Sequence, residues 1–289
     1  MNYRHHYHAG NFADVVKHVV LMQLFRALQL KPKGFLYLDT HAGRGAYDLQ
    51  QAGIGASLAR EPEWPDGIGR LWNRGDCPEP VAEYLALVRG FDHARGNLES
   101  SLRFYPGSPW IAARLSRAQD RLAFCEMHSA EAGGLRQEFR VVPGVAVHES
   151  DGYVALRGLL PPPERRALVL IDPPYEAQDE FAQATTALGE ALRRFPSGVY
   201  ALWYPLTQRA RVDEFVAAIM HLAPPPTLLA ELAVAGDNSD RKLKGCGLVI
   251  VNPPWQFEPN VRLALDFLAP ILAQESGGSA RTTWLVPEA

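Results

Sequence analysis

Short apolar runs closed by turn residues recur along the chain: FLYLD (35–39), LAFCE (122–126), GVAVHES (144–150), ALVLID (167–172), GVYALWY (198–204), LLAELAVA (228–235) and GLVIVN (247–252). Each is short and rich in β-branched or aromatic residues, the pattern of buried strands. Between several of them the spacing of apolar residues changes to a helical one. This happens in AGNFADVVKHVVLMQLFRALQL (9–30), EFAQATTALGEALRRF (180–195) and TQRARVDEFVAAIMHLA (207–223). Strands alternating with helices predict an α/β protein built on a doubly wound, mostly parallel sheet. One interval breaks the rhythm: the second run ends at Glu126, far beyond the Asp39 that ends the first. A βαβ step needs about 30 residues. Residues 50–107 hold VAEYLALVRGF, little strand signal and several Pro and Gly breaks. They predict a small helical insert within a domain spanning 1–289, on the sheet edge where open α/β sheets bind ligands.

Composition changes this picture little. The chain has 289 residues, 47% of them hydrophobic and 21% charged, which suits a globular protein with a full core. A net charge of −3 argues mildly against nucleic acid and leaves local basic patches as the means of binding it. Cys77, Cys125 and Cys246 are widely spaced and form no CxxC pair, so neither disulfides nor zinc are expected and a reducing cytoplasm fits. No apolar stretch is long enough to span a membrane, and the N-terminus MNYRHHYHAG is no secretory signal. His5, His6 and His8 precede the first helix and lack the paired spacing of a metal set, so no metal is expected. The arm YRHHYH also suits stacking on bases and contacting phosphates, or is simply solvated.

Three strand ends carry the residues of a cofactor site. The first leads into LDTHAGRGAY (38–47), whose Gly43–Gly45 turn lets backbone approach a ligand closely. Such a turn serves NAD, FAD and S-adenosylmethionine alike, but the full GxGxxG fingerprint is missing because Asp48 stands three after Gly45. The second strand ends in Glu126, placed to accept from ribose hydroxyls. The third ends ESDGY, which puts Asp151 and Gly152 at the same edge, the acid placed to accept from an adenine amino group. Gly-x-Gly, Glu and Asp in that order point to S-adenosylmethionine; no phosphate-binding P-loop lysine is present.

The fourth run ends in DPPY (172–175). An exocyclic amino group on adenine is a weak nucleophile because its lone pair is delocalised into the ring. The Asp172 carboxylate and the Pro173 carbonyl supply two acceptors for its two N–H bonds, and the prolines limit backbone freedom. Tyr175 is placed to stack on an extruded base. A second, similar motif, NPPW (252–255), ends the last run. In the usual strand order the DPPY strand lies beside the first strand, so Asp172 is the expected catalytic copy. Asn252 is expected to end the last strand and build an outer wall of the substrate cleft.

The motifs YRHHYHAGNFADVVKH (3–18), FLYLDTHAGRGAY (35–47), YPGSPWIA (105–112), LIDPPYE (170–176), ALWYP (201–205), VIVNPPW (249–255) and TTWLVPE (282–288) together resemble the RlmJ family of bacterial 23S rRNA adenine-N6 methyltransferases. The resemblance runs from residue 3 to about 287. It implies a Rossmann-like class I methyltransferase fold with a small inserted helical subdomain. It also implies S-adenosyl-L-methionine as methyl donor and 23S rRNA, naked or in an early large-subunit particle, as substrate. Matched motif by motif, cofactor contacts fall on His18, His41, Ser108, Glu126, Asp151, Gly152 and Asp172, beside Gly43 of the turn, and a substrate contact falls on Tyr3. A cytoplasmic monomer without metal is expected. Two other readings compete: a DNA adenine methyltransferase, for which the insert is small as a target-recognition domain, and a non-catalytic RNA-binding factor, against which the intact Asp172 and Tyr175 argue.

Overall fold

A computed structural model describes residues 7–50 and 61–288. Its strands are β1 (Leu36–Asp39), β2 (Ala46–Asp48), β3 (Phe104–Pro106), β4 (Arg121–Glu126), β5 (Val145–Glu149), β6 (Ala167–Ile171), β7 (Val199–Leu206), β8 (Thr227–Ala233), β9 (Gly245–Val251) and β10 (Ser279–Val286). Its helices are α1 (Phe12–Gln29), α2 (Glu79–Ala94), α3 (Ser108–Leu115), α4 (Ser129–Glu138), α5 (Gly152–Leu159), α6 (Glu180–Arg194), α7 (Arg209–His221) and α8 (Phe257–Leu272). Eight strands form one sheet in the order β10-β8-β9-β7-β6-β1-β4-β5, and β2 pairs with β3 in a separate two-stranded ribbon. From β5 through β7 every pairing is parallel; β9 runs antiparallel to both β7 and β8, and β10 antiparallel to β8.

Alternation along β1 explains the two covered faces. Tyr37 points into a core shared with Phe25 of α1, Tyr84 of α2 and Leu265 of α8, whereas Leu36 and Leu38 point into one shared with Leu188 of α6 and Phe215 of α7. The helix α1 is apolar on nearly all sides and is correspondingly enclosed, packed by α2, α3, α8 and β9. Its start is fixed by Asn11, whose side chain accepts from the Asp14 amide. In the long interval between β1 and β4 the described residues form the ribbon, two short 3₁₀ turns, α2 and α3. Arg70 of the second 3₁₀ turn donates to the carbonyls of Ile271 and Ala273, closing the end of α8.

The reading of NPPW as a wall of the substrate cleft is corrected by strand direction. The strand β9 is not the last, because β10 follows it, and it runs antiparallel to β7, with Val251 opposite Tyr200 at the start of β7. Asn252 therefore lies at the edge opposite the C-terminal ends of β1, β4 and β6. There its side-chain amide donates to the carbonyls of Pro196 (2.8 Å) and Gly198 (2.7 Å), and its own N–H donates to the Pro226 carbonyl at 2.8 Å. Its backbone is left-handed, with φ 53°. The motif staples three chain segments together, and its Trp255 is 74% exposed.

Candidate active site

Register brings the predicted strand ends into one row. Asp39, the last residue of β1, is opposite Phe124 of β4 and Leu170 of β6, so Glu126 and Asp172 flank the turn that follows β1. In that turn Gly43 adopts φ 60°, and a Cβ there would meet the Tyr47 hydroxyl at 2.6 Å. The Gly43 N–H donates to one oxygen of Glu126 at 2.9 Å and the His128 N–H to the other at 2.7 Å. Each Glu126 oxygen keeps further acceptor capacity, which fits a vicinal diol. Asp151 caps α5: its Oδ1 accepts from the amides of Tyr153 and Val154, and its Oδ2 has no partner among the described residues. Gly152 packs on backbone, with room for no side chain, since a Cβ would lie 2.0 Å from the Thr40 carbonyl oxygen. Acceptors on Glu126 and Asp151 around a glycine turn fit a ribose and an adenine amino group.

His41 and Asp39 define the floor of this row. The Thr40 hydroxyl donates to the Leu170 carbonyl at 3.1 Å and lies 2.8 Å from His41 Nδ1. With its proton committed, that hydroxyl accepts from Nδ1–H, which leaves Nε2 of His41 as an acceptor. Burial pushes the His41 pKa down to about 4, so the ring is neutral at pH 7, and it meets the Tyr153 ring edge-on at 5.1 Å. Asp39 is fully buried; Tyr37 (3.0 Å) and Ser108 (2.7 Å) donate their hydroxyls to its Oδ2. Burial raises Asp39 to about 6, against the opposing pull of the Ser108 hydrogen bond. His18 is buried on α1, its Nδ1 2.8 Å from the Tyr105 hydroxyl and its ring stacked on Tyr105.

The Asp172 end of the row is tied to α1. Lys17 Nζ donates to Asp14 Oδ1 at 2.8 Å and to Asp172 Oδ2 at 2.6 Å, with side chains 7%, 4% and 15% exposed respectively. Burial alone would lower the Lys17 pKa, but the carboxylates of Asp14 and Asp172 outweigh it and hold the ammonium well above the ordinary lysine range. Asp14 is itself fixed by the Gly10 N–H at 2.9 Å. Pro173 is buried behind Asp172. Tyr175 takes a left-handed backbone (φ 51°), donates its hydroxyl to the Trp203 carbonyl at 2.7 Å and packs its ring against Phe181 and Trp203.

The chain matches, over residues 32–286, the family model described as ribosomal RNA large subunit methyltransferase D, RlmJ. It belongs to the RlmJ family. Two curated relatives, each named ribosomal RNA large subunit methyltransferase J, align over the whole of both chains. One, from Haemophilus influenzae (strain ATCC 51907 / DSM 11121 / KW20 / Rd), is 40% identical over 288 residues, and one from Escherichia coli (strain K12) is 39% identical over 289. A crystal structure of a protein from Legionella pneumophila str. Philadelphia 1, assigned to a family labelled DUF519, superposes with a TM-score of 0.85. It is 35% identical and covers 96% of this chain and 98% of that one. A probable spermidine synthase from Corynebacterium glutamicum ATCC 13032, 11% identical with a TM-score of 0.50, covers 93% of this chain and 74% of that one and shares the fold alone. This RlmJ-family chain thus has the class I methyltransferase fold its motifs predict.

The structure gathers His41, Gly43, Ser108, Glu126, Asp151, Gly152, Asp172, Pro173 and Tyr175 along one sheet edge, with His18 on α1 beside Tyr105. Tyr3 lies outside the described residues. The sequence reading missed Lys17, Asp14 and Asp39. A signal existed for the first two: Asp14 and Lys17 stand three apart in a helix apolar on nearly all sides, and buried charges require partners.

Proposed function

We propose that residues 172–175 are the methyl-transfer centre of this RlmJ chain, with its methyl donor held by the ends of β1, β4 and β5. The chain transfers a methyl group from S-adenosyl-L-methionine to the N6 amino group of an adenine in 23S rRNA. The donor, when bound, supplies an electrophilic methyl on a sulfonium. Asp172 and the Pro173 carbonyl accept the two N6 hydrogens, turning the nitrogen lone pair toward the methyl, and the Asp172 carboxylate stabilises the positive charge that grows on N6. Lys17 fixes the rotamer of Asp172 through the 2.6 Å hydrogen bond. Tyr175, tethered through its hydroxyl, offers a face for the extruded base. Glu126 accepts from the donor's ribose and Asp151 from its adenine; His41, neutral and open at Nε2, accepts from its ammonium group, and His18, Ser108 and Gly152 complete the pocket. The observation that carries this reading is the Asp14–Lys17–Asp172 array at a DPPY turn beside the Gly43 loop of an RlmJ-family chain.

The finer parts are further proposals. The expected insert 50–107, of which 51–60 lie outside the described residues, faces the substrate, and Tyr3 with the N-terminal arm contacts RNA. The protein works as a cytoplasmic monomer without metal, on naked 23S rRNA or an early large-subunit particle. In support of the location, no helix among the described residues is long and apolar enough to cross a membrane. The test supplies tritiated S-adenosylmethionine with 23S rRNA, with duplex DNA, and with no nucleic acid, each with and without EDTA. Label should enter the RNA alone, at a rate EDTA does not change. Equal labelling of duplex DNA would support the DNA reading instead. Asp172→Ala, shown to be folded by circular dichroism, should lose transfer by orders of magnitude; a fully active variant would remove residues 172–175 from the chemistry.

A further inference from the structure

Beyond Asp172 along the same sheet edge, four strands end or begin in one row. Leu206 of β7 is opposite Gly245 of β9, which is opposite Ala233 of β8, which is opposite Ser279 of β10. Above that row lies a cavity of about 230 Å³, closed on one side by the start of α7. Its lining carries three cations, Arg209, Lys244 and Arg281, against two acids, Glu231 and Asp237. Glu231 is already committed: it is buried and accepts from the Tyr204 hydroxyl at 2.8 Å and from Arg209 at 3.2 Å, with Arg281 at 4.0 Å. Among the described residues the Lys244 ammonium donates only to the Asp237 backbone carbonyl, and the Arg281 side chain is 54% exposed. Thr207 also lines the cavity, and its hydroxyl is buried and without a hydrogen-bond partner among the described residues. A buried polar atom of this kind calls for an acceptor or donor that the chain itself does not supply. No side chain caps the first turn of α7, so its free N–H groups add to the positive character of the cavity.

The position of the cavity identifies its ligand. Ile171 is opposite Leu202, so Asp172 stands near the level of Trp203; Thr207 lies four residues further along the chain, one strand across, and Arg281 near the level of Asp172 but four strands across. At roughly 3.3 Å per strand residue and roughly 4.8 Å between strands, the lining lies about 14 to 20 Å from Asp172, the rise of roughly four to six stacked nucleotides. Arg211 extends the line of cations back toward the active site, since it donates to the Gln178 carbonyl just after the DPPY turn. The space is smaller than the roughly 300 Å³ at which whole-ligand pockets begin. We infer that this cavity binds a backbone phosphate of the substrate RNA roughly four to six nucleotides from the target adenine. Lys244, Arg281 and the Thr207 hydroxyl contact it, while Arg209 remains tied to Glu231. The inference rests on the chain acting on RNA.

The test compares Lys244→Ala/Arg281→Ala and Thr207→Val with the unaltered protein, using two RNAs. One carries six nucleotides on each side of the adenine and the other carries one. On the long RNA the double variant should raise KM about tenfold and leave the single-turnover rate at saturating RNA within about twofold. Its log–log salt dependence of binding should be shallower by about 0.7, the loss of one phosphate contact. Thr207→Val, nearly isosteric, should raise KM about threefold. On the short RNA both variants should match the unaltered protein, and their affinity for S-adenosylmethionine should not change. If unaltered protein methylates RNA while the folded variants keep its KM and salt slope on the long RNA, the phosphate site is overturned. An equal KM defect on both RNAs would also overturn it, placing the residues in the target-base site or the fold. Failure of unaltered protein to methylate any RNA is a different result and counts against the proposed function.

Discussion

Asp172 shares one ammonium with Asp14, and that arrangement makes Lys17 the most sensitive single residue of the site. Lys17→Met would leave two nearly buried carboxylates with nothing between them. Breaking a buried pair in this way costs on the order of 3 kcal/mol, and one of the two acids should then retain a proton. Methyl transfer should fall at least 100-fold, with a clear loss in urea-denaturation midpoint; a stable, active Lys17→Met would show that Asp172 needs no cation. His41 gives the site a pH signature. Its folded pKa of about 4 lies below the unfolded value near 6.5, so the folded protein binds fewer protons at this residue. Its contribution to stability is complete above pH 6.5 and is lost as the pH falls toward 4, by up to about 3 kcal/mol. Melting temperatures at pH 7.5 and pH 5 should therefore diverge less in His41→Gln than in the unaltered protein, and identical pH profiles would argue against a buried neutral ring. At this scale Gly43, Glu126 and Asp172 were legible because motif and strand end coincide. Lys17 and Asp39 were not assigned to the site, because the partners that tie them to it, Asp172 and Ser108, come from distant segments that only packing brings together.

The two PP motifs are separated by the orientation of their strands. Periodicity identifies β6 and β9 equally well, since both are short apolar runs, but it says nothing of direction. The information was nonetheless in the sequence. Only residues 236–246 lie between the sixth and seventh predicted runs, with no helical pattern. A parallel crossover takes a dozen residues or more and usually a helix, so a link this short makes the second strand antiparallel. That places Asn252 at the edge away from the chemistry. Asn252→Ala removes two side-chain hydrogen bonds and leaves a β-carbon in a left-handed conformation. It should cost about 2–3 kcal/mol of stability and spare the single-turnover rate on saturating RNA. A folded Asn252→Ala without activity would contradict a purely structural role. The ribbon strands β2 and β3 escaped the sequence reading because three residues carry no measurable period. The strand β10 escaped it because SARTTWLV is an edge strand, half-exposed and only weakly alternating.

For the molecule as a whole, fold class and the bearing of the main sheet follow from the alternation of runs, and the long gap after β1 marks where that alternation is interrupted. The overall charge of −3 was a poor guide to an RNA-acting protein, because the informative cations are local. The helix carrying Asp14, Lys17 and His18 is also the most enclosed of the described helices, wrapped by α2, α3, α8 and β9. Its backbone amides can exchange with solvent only when that whole shell comes apart. Hydrogen exchange at Val16, Lys17 and His18 should therefore proceed at the rate of global unfolding, among the slowest in the chain, whereas the amides of the turn after β1 should exchange through smaller openings. Fast local exchange along α1 would refute this. The reacting end of the site then has no partly opened form of its own: proton-holding groups and core stand or fall together, and any substitution that loosens this helix registers as lost protein before it registers as altered chemistry.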